Sequence, residues 1–274
     1  MPKRTVFFVS DQTGVTAETM GHSLLTQFEG LEFKAVTLPF VATVEKAAEA
    51  RERIDATAVA EGTPPIIFST LIKDDLRDIV KDANGVFLDF FDAFLGPLEA
   101  ALGVKSSHAA GRAHGMADLQ SYTQRINATN FALSNDDGTQ TRDYQQADVI
   151  LVGVSRSGKT PTCLYMALQY GLYAANFPLT PEDLETVRLP GPLASHKAKL
   201  YGLTIRPERL QQIRHERRPN SSYASAQQVA FEVRQAEALF ERFGIPFLDT
   251  TDTSVEELGS RIMQKTGIER RLRP

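Results

Sequence analysis

Cysteine, long apolar runs and an excess of either charge are all scarce in this sequence. Cys163 is the one cysteine among 274 residues, which excludes an intramolecular disulfide and any metal site built from several thiolates. No apolar run reaches the roughly 18 residues of a membrane-spanning helix, and the first run ends at Val9, too early for a signal peptide. The net charge of −4 favours neither nucleic acid nor a membrane surface as a partner. We therefore expect a soluble globular protein of a reducing, cytoplasmic compartment.

A phosphate-binding P-loop is the clearest motif, because residues 153–160 match the pattern G-x-x-x-x-G-K-[ST]. The predicted nucleotide-binding residues are Gly153, Val154, Ser155, Arg156, Ser157, Gly158, Lys159 and Thr160. Glycines let backbone N–H groups approach a phosphate, and the lysine adds positive charge, which predicts a catalytic role for Lys159. The hydroxyl of the last residue is typically a ligand of Mg²⁺, so Thr160 is the predicted metal ligand.

The neighbouring residues supply the context that a P-loop requires. An apolar, β-branched run at 148–152 predicts a buried strand directly before the motif. A helical pattern follows at 162–170, with Pro161 in the first turn and Gly171 as the stop. Strand, glycine-containing loop and helix together favour a working phosphate site over a structural loop.

Strand and helix patterns alternate along the rest of the chain. Strands are predicted at 5–9, 35–40, 66–69, 85–89, 148–152, 173–179, 199–205 and 244–249. Helices are predicted at about 16–28, 45–60, 74–82, 117–128, 162–170, 229–243 and 255–266. The alternation predicts an α/β fold of mainly parallel sheets with flanking helices. We expect an N-terminal βαβ domain at 1–104, a connecting region at 105–145 and a C-terminal P-loop kinase-like domain at 146–274.

Two further segments leave alternatives open. The loop 10–16 follows the first strand and opens a helix, so it is either a second anion site or ordinary capping chemistry. His108 and His114 lie in the connecting region, but two histidines six residues apart are a poor metal signature.

Positive charge is densest between residues 206 and 218. In P-loop phosphotransferases, arginines on a mobile segment close over the phosphates and offset developing charge, which makes Arg217 and Arg218 candidate catalytic residues. The alternative is an exposed helix face on which Arg214 and Arg218 flank Glu216.

The absence of certain nucleotide-binding motifs narrows the class of reaction that the P-loop could serve. The base-reading motif N/T-K-x-D of guanine-nucleotide switches is absent, and only Asp249, after Leu248, resembles the acidic strand end of a motor ATPase. The chain length and the arginine cluster favour a phosphoryl transferase, while spacing alone does not identify the acceptor.

The segments 153–167 and 173–179 closely resemble a family that comprises the bacterial phosphoenolpyruvate synthase regulatory proteins and the pyruvate, phosphate dikinase regulatory proteins. Further matching stretches are 9–18, 36–40, 114–115, 136–138, 201–205 and 220–224. The resemblance covers nearly the whole chain. The position of Ser157 varies in that family and serine is common at position 163, but neither departure affects the glycines, the lysine or the threonine of the P-loop.

The resemblance implies a bifunctional enzyme. It would use ADP to phosphorylate a threonine of its protein target, which inactivates the target, and inorganic phosphate to remove that group as diphosphate. Mg²⁺ is expected from the P-loop hydroxyl of Thr160 and not from the resemblance. The Asp-Asp-Gly match makes Asp137 the first candidate for the base, ahead of Asp11, Asp136 and Asp249, while Arg156, Arg217 and Arg218 would offset anionic charge.

The resemblance does not decide between two targets, phosphoenolpyruvate synthase and pyruvate, phosphate dikinase, although it leans to the synthase. An ATP-using small-metabolite kinase and a non-catalytic, nucleotide-dependent binding switch remain alternatives. Nucleic acid and membranes are not expected partners, and homo-oligomer formation is left open, as is the number of anion sites.

Overall fold

A computed structural model describes residues 4–107, 119–186, 188–219 and 221–272. The described residues before 108 form one compact unit and those from 119 form another. Each unit contains a four-stranded, all-parallel sheet with helices packed on it, which confirms the predicted α/β fold class. Within the described ranges, no helix is both long and apolar enough to cross a bilayer.

The first unit has the strand order β2-β1-β3-β4. Its strands are β1 (Arg4–Ser10), β2 (Phe33–Leu38), β3 (Ile66–Thr70) and β4 (Val86–Asp89), and its helices are α1 (Val15–Leu25), α2 (Val44–Glu61), α3 (Asp74–Lys81) and α4 (Phe90–Leu102). Side chains of β1 enter two cores, one through Phe7 and Val9 and the other through Val6 and Phe8. Burial on both faces explains why β1 is a continuous apolar run.

The second unit has the equivalent order β6-β5-β7-β8. Its strands are β5 (Val149–Val154), β6 (Ala174–Leu179), β7 (Leu200–Thr204) and β8 (Phe247–Asp249), and its helices are α5 (Leu119–Ser134), α6 (Lys159–Tyr170), α7 (Pro181–Thr186), α8 (Gly191–Ala194), α9 (Pro207–Arg217), α10 (Ala226–Phe243) and α11 (Val255–Thr266). Short 3-10 turns lie at Asp136–Gly138, Thr141–Gln145, Lys197–Lys199 and Ser222–Ala224.

The strand β5 is the centre of the second unit, and all six of its residues are buried. Ile150 and Val152 contribute to the core that contains α10, while Leu151 lies in the core that contains Cys163 and Met166 of α6. The predicted apolar stripe of α10 is confirmed: Val229, Val233, Ala236 and Phe240 are buried, and Phe243 packs at the edge of the core.

The helix predicted at about 117–128 begins at Leu119 and continues to Ser134. Its Ala128 and Ala132 are buried in the second unit, and Arg125 donates a 2.9 Å hydrogen bond to the carbonyl of Leu168 at the end of α6. Part of the predicted connecting region therefore packs on the P-loop helix. The domain limits at 104 and 146 stay predictions, and His108, Arg112 and His114 lie outside the described residues.

The topology places a crevice at the carboxyl end of β5. The chain leaves β5 for β6 on one side, and β7 returns on the other side. In open parallel sheets, ligands bind outside the carboxyl ends of the strands, where neighbouring connections diverge in this way. The P-loop follows β5 at this point.

Candidate functional site

The loop between β5 and α6 contains the P-loop motif in the predicted strand–loop–helix arrangement. β5 continues to Val154, and α6 begins at Lys159, three residues before the predicted start. Gly158 caps the helix with φ 87° and provides no side-chain hydrogen bond to the first-turn N–H groups. These N–H groups and the positive dipole end of α6 lie at the loop, an arrangement that favours anions.

Gly153 is required by close packing between strands. A Cβ atom at this position would lie 2.4 Å from the backbone carbonyl oxygen of Leu203 and 2.8 Å from Oγ of Ser157. Ser157 is fully buried, and its hydroxyl has no hydrogen-bond partner among the described residues. The start of the loop thus leaves no room for a side chain at Gly153.

Lys159 is buried at the base of the loop, with 4% of its surface exposed. Its Nζ donates a 2.8 Å hydrogen bond to the carbonyl of Val154, which closes the loop onto itself. Burial lowers the pKa of Lys159 to about 8, although the negative charge of Asp137 opposes this shift. A bound phosphate would stabilise the charged ammonium.

A cavity of about 260 Å³ opens at the loop. It is lined by Asp137, Ser155, Arg156, Gly158, Lys159, Thr160 and Pro161. Asp137 is thus brought to the P-loop from the 3-10 turn that follows α5. Of the four acids considered as the base, Asp137 lines this cavity; Asp11 belongs to the first unit, and Asp249 accepts a 2.5 Å hydrogen bond from the Thr251 hydroxyl.

Asp136, the neighbour of Asp137, contacts the P-loop directly. Its Oδ1 accepts a 2.7 Å hydrogen bond from the Thr160 hydroxyl and another from the side-chain amide of Asn176 in β6. The Asn176 Oδ1 accepts a 3.0 Å hydrogen bond from the backbone N–H of Asp137, whose φ is 50°. Asp136 was predicted as a candidate base but not as a partner of Thr160, and Asn176 was noted only as part of the resembling segment 173–179.

The arginine cluster forms the helix α9, and Arg214 is fully buried. Its Nη2 donates hydrogen bonds to Glu232 Oε2 at 2.6 Å and to the Ser155 carbonyl at 3.1 Å. The alternative of an exposed face that includes Arg214 was therefore wrong, because this residue pairs with Glu232 of α10 inside the protein. Sequence reasoning named Arg214 in the arginine cluster but missed Glu232 and the pairing of the two residues.

Arg217 and Arg218 lie at the end of α9 and are exposed. They are not among the residues that line the cavity, and their catalytic roles stay predictions. Arg156 is also exposed but lines the cavity with a left-handed backbone, φ 75°.

Across the described ranges, no group of three or more histidine, cysteine, aspartate and glutamate side chains is arranged to hold a metal ion. The Thr160 hydroxyl and the Asp136 carboxylate are oxygen donors on a shared hydrogen bond, so they are the residues that could hold a divalent cation together with phosphate oxygens.

Comparison with known proteins gives one consistent family. A family model described as kinase/pyrophosphorylase matches residues 6–263. The chain is 52% identical over 271 residues to a protein of Hahella chejuensis and 53% identical over 271 residues to one of Ectopseudomonas mendocina, with 99% of this chain and 100% of each relative covered. A protein of Alcanivorax borkumensis is 53% identical over 270 residues, covering 98% of this chain and 99% of the relative. All three are provisionally named phosphoenolpyruvate synthase regulatory proteins.

Proposed function

The chain belongs to the kinase/pyrophosphorylase family, and from this membership we propose that it reversibly phosphorylates a threonine of a protein target. ADP is the donor in the forward reaction, and inorganic phosphate removes the group in the opposing reaction. The relatives' names support phosphoenolpyruvate synthase as the target, with pyruvate, phosphate dikinase as the second candidate. Phosphorylation inactivates the target and phosphorolysis restores it.

In the kinase reaction, the threonine oxygen attacks the β-phosphorus of ADP. The bond between that phosphorus and the bridging oxygen breaks, AMP leaves, and the threonine proton passes to a base. The backbone of the P-loop and Lys159 bind the diphosphate, and Asp137 is positioned in the same cavity to accept the proton. A carboxylate is needed because a threonine hydroxyl is a weak nucleophile.

In the opposing reaction, an oxygen of inorganic phosphate attacks the phosphothreonine phosphorus. The threonine oxygen–phosphorus bond breaks, diphosphate forms, and the threonine oxygen takes up a proton, which Asp137 can return. Two anions must meet, so cations are required at the site. Lys159 and Arg156 line the cavity, and Arg217 and Arg218 would approach from the end of α9.

Thr160 and Asp136 fit a Mg²⁺ ion bound to the nucleotide. The two side chains offer a hydroxyl and a carboxylate oxygen 2.7 Å apart, and Mg²⁺ is usually bound by one or two carboxylates and by substrate phosphates. When bound, the ion would neutralise charge on the diphosphate. The protein residues keep their roles in binding and proton transfer.

The observation that carries this proposal is the shared cavity, in which an acid and a buried lysine of a P-loop lie together. An ATP-using small-metabolite kinase and a non-catalytic switch share the P-loop, and neither explains the family match. The test is incubation of the protein with each purified target and with ADP labelled in its β-phosphate.

We expect label on a threonine of one target, identified by mass spectrometry, and labelled diphosphate after addition of inorganic phosphate. Parallel samples contain ATP labelled in its γ-phosphate, used without ADP. Consumption of ATP but not of ADP, with no label on either protein target, would favour the ATP-using metabolite kinase. Nucleotide binding without any transfer of label would favour the non-catalytic switch.

A further inference from the structure

Arg214 is connected to the P-loop by a fully buried guanidinium group. Its Nη2 donates to the Ser155 carbonyl, at 3.1 Å, and to Glu232. Its Nη1 donates to the carbonyl of Tyr223, also at 3.1 Å. One side chain of α9 therefore joins the loop, α10 and the turn Ser222–Ala224. Only arginine has the planar fork of donors that reaches three acceptors at once.

Tyr223 makes a second connection to the same P-loop residue. Its hydroxyl lies 2.8 Å from Oγ of Ser155, and its ring lies under the guanidinium, 4.1 Å from Cζ of Arg214. Ser155 is therefore held through both its carbonyl and its hydroxyl. The ion pair with Glu232 balances the charge of Arg214 and does not itself require the bond between the hydroxyls of Tyr223 and Ser155.

The hydrogen bond to the Ser155 carbonyl also fixes the orientation of the Arg156 N–H, which belongs to the same peptide group. In a trans peptide, the C=O and the following N–H point in opposite directions, so a Ser155 carbonyl on Arg214 turns the Arg156 N–H away from Arg214. Arg156 has φ 75°, a left-handed conformation that is strained for any residue other than glycine. Such a conformation persists when neighbouring contacts hold it.

From these contacts we infer that Arg214 is a positioning residue, which holds the P-loop in its phosphate-binding conformation through Ser155. Tyr223 acts with it. The inference rests on the proposed function, since it concerns the same phosphate site.

The first test measures ADP and inorganic phosphate binding by calorimetry for Arg214→Lys. Lysine keeps the positive charge beside Glu232, but it lacks the fork of donors that reaches the carbonyls of Ser155 and Tyr223 at the same time. We expect the dissociation constants to rise about tenfold, the loss typical of one hydrogen bond from a charged donor. In the labelled-ADP assay, KM should rise by a similar factor while kcat falls less than about threefold.

The matched control is Arg271→Lys, because Arg271 also pairs with an acid, Asp148, and lies over a tyrosine ring, 4.6 Å from that of Tyr173. This control should bind ADP as the wild type does. A lower melting temperature for Arg214→Lys with unchanged dissociation constants would overturn the inference and leave a purely structural ion pair. Failure of the wild type to bind either ligand would overturn the proposed function as well.

The second test asks whether the contact between Tyr223 and Ser155 affects ADP binding, apart from any effect on the stability of the fold. Tyr223→Phe removes one hydroxyl and keeps the ring under Arg214, and we expect about threefold weaker ADP binding. The control Tyr170→Phe removes a similar tyrosine–serine bond, 3.1 Å long, to Ser260. Equal ADP affinity in both variants and the wild type would contradict the role of Tyr223.

The third test is a double-mutant cycle with Arg156→Gly, since glycine adopts a positive φ without strain. If Arg214 stabilises the left-handed residue, then Arg214→Lys should weaken phosphate binding less in the glycine background than in the wild type. If Arg214→Lys raises the phosphate dissociation constant by the same factor in both backgrounds, then Arg214 does not act through the backbone conformation of Arg156. That result would overturn the inference.

Discussion

The Thr160 hydroxyl lies 2.7 Å from the Asp136 carboxylate, although 24 residues separate the two in the chain. Asn176 holds this acid with its amide nitrogen and accepts the backbone N–H of Asp137 with its amide oxygen. One buried amide therefore positions both acids. Asp136 contacts the P-loop threonine, and Asp137 lines the cavity.

We predict that Asp136→Asn weakens the Mg²⁺ dependence of ADP binding. In the proposed site Asp136 would bind the ion beside Thr160, and even the loss of a carboxylate that only supports a ligand typically lowers metal affinity about 10–100-fold. ADP affinity should be measured by calorimetry across a Mg²⁺ titration, with the metal-free affinity as the internal control. A titration curve identical to the wild type's would remove Asp136 from the metal site.

We predict that Asp137→Asn lowers kinase turnover by about 10² or more, the contribution expected of a general base. ADP should bind as tightly or more tightly, because the variant removes a negative charge beside the diphosphate. Single-turnover transfer from labelled ADP measures the first quantity and calorimetry the second. Asp143→Asn, in the next turn, is the control, and unchanged turnover for Asp137→Asn would place the base elsewhere.

We predict that Lys159→Met abolishes both activities while the protein stays folded. Since burial depresses the pKa of Lys159 from 10.5 to about 8, its charged form disfavours folding below pH 8, and this effect vanishes as the pH rises towards 10.5. Methionine removes this pH-dependent effect together with the bond to the Val154 carbonyl. The stability of the wild type should therefore rise relative to that of the variant between pH 8 and pH 10.5, as measured by denaturant unfolding at several pH values.

Lys199→Met is the control for that variant, because Lys199 also donates to a backbone carbonyl, that of Gln145 at 2.7 Å. It should retain both activities. Measurable transfer from labelled ADP by Lys159→Met would exclude the P-loop lysine from the mechanism.

We predict that Gly153→Ala destabilises the second unit by roughly 1–3 kcal/mol, the usual cost of overpacking. The new methyl group would lie 2.4 Å from the Leu203 carbonyl, so β5 and β7 must separate where the P-loop begins. Denaturant unfolding and ADP calorimetry should both report the change. Gly191→Ala is the control, since its added methyl group meets nothing within 4 Å; equal stability of the two variants would refute the packing argument.

We predict that the Cys163 thiol resists alkylation in the native protein at pH 8. The side chain is 1% exposed, and burial raises the pKa of the thiol. Mass spectrometry should show modification only at the rate of unfolding, and ADP should slow it further because a ligand stabilises the folded state. Rapid native labelling would contradict the packing of Cys163 against the core.

Local sequence patterns predicted most of the strands and helices, but they did not predict which distant side chains meet at the P-loop. The helix at 255–266 was predicted with the bounds that the structure has, because its apolar spacing and its Ser254 cap lie within one segment. The bond between Thr160 and Asp136, and the pair of Arg214 and Glu232, join distant segments that have no shared periodicity. Such pairs depend on how helices pack on the sheet, which one sequence does not specify.

α4 was not predicted at all, because Pro97 lies inside the helix and its aromatic residues weaken a helical pattern. In the sequence, residues 136–138 were noted only as a short stretch that resembles the family. The structure shows that this turn lies beside Asn176 of β6, which accepts the backbone N–H of Asp137. The side chains that complete the site thus come from outside the motif that revealed it.

The bond from Lys159 to the Val154 carbonyl has a consequence for the departure of products. An ammonium group that donates to a loop carbonyl is not left as a buried, unpaired donor when an anion leaves, and such a donor would cost about 1–3 kcal/mol or more. For the reaction pair proposed above, release of AMP or diphosphate would then carry a smaller penalty. A loop that releases anions readily would suit both proposed reactions, since neither product would stay trapped in it.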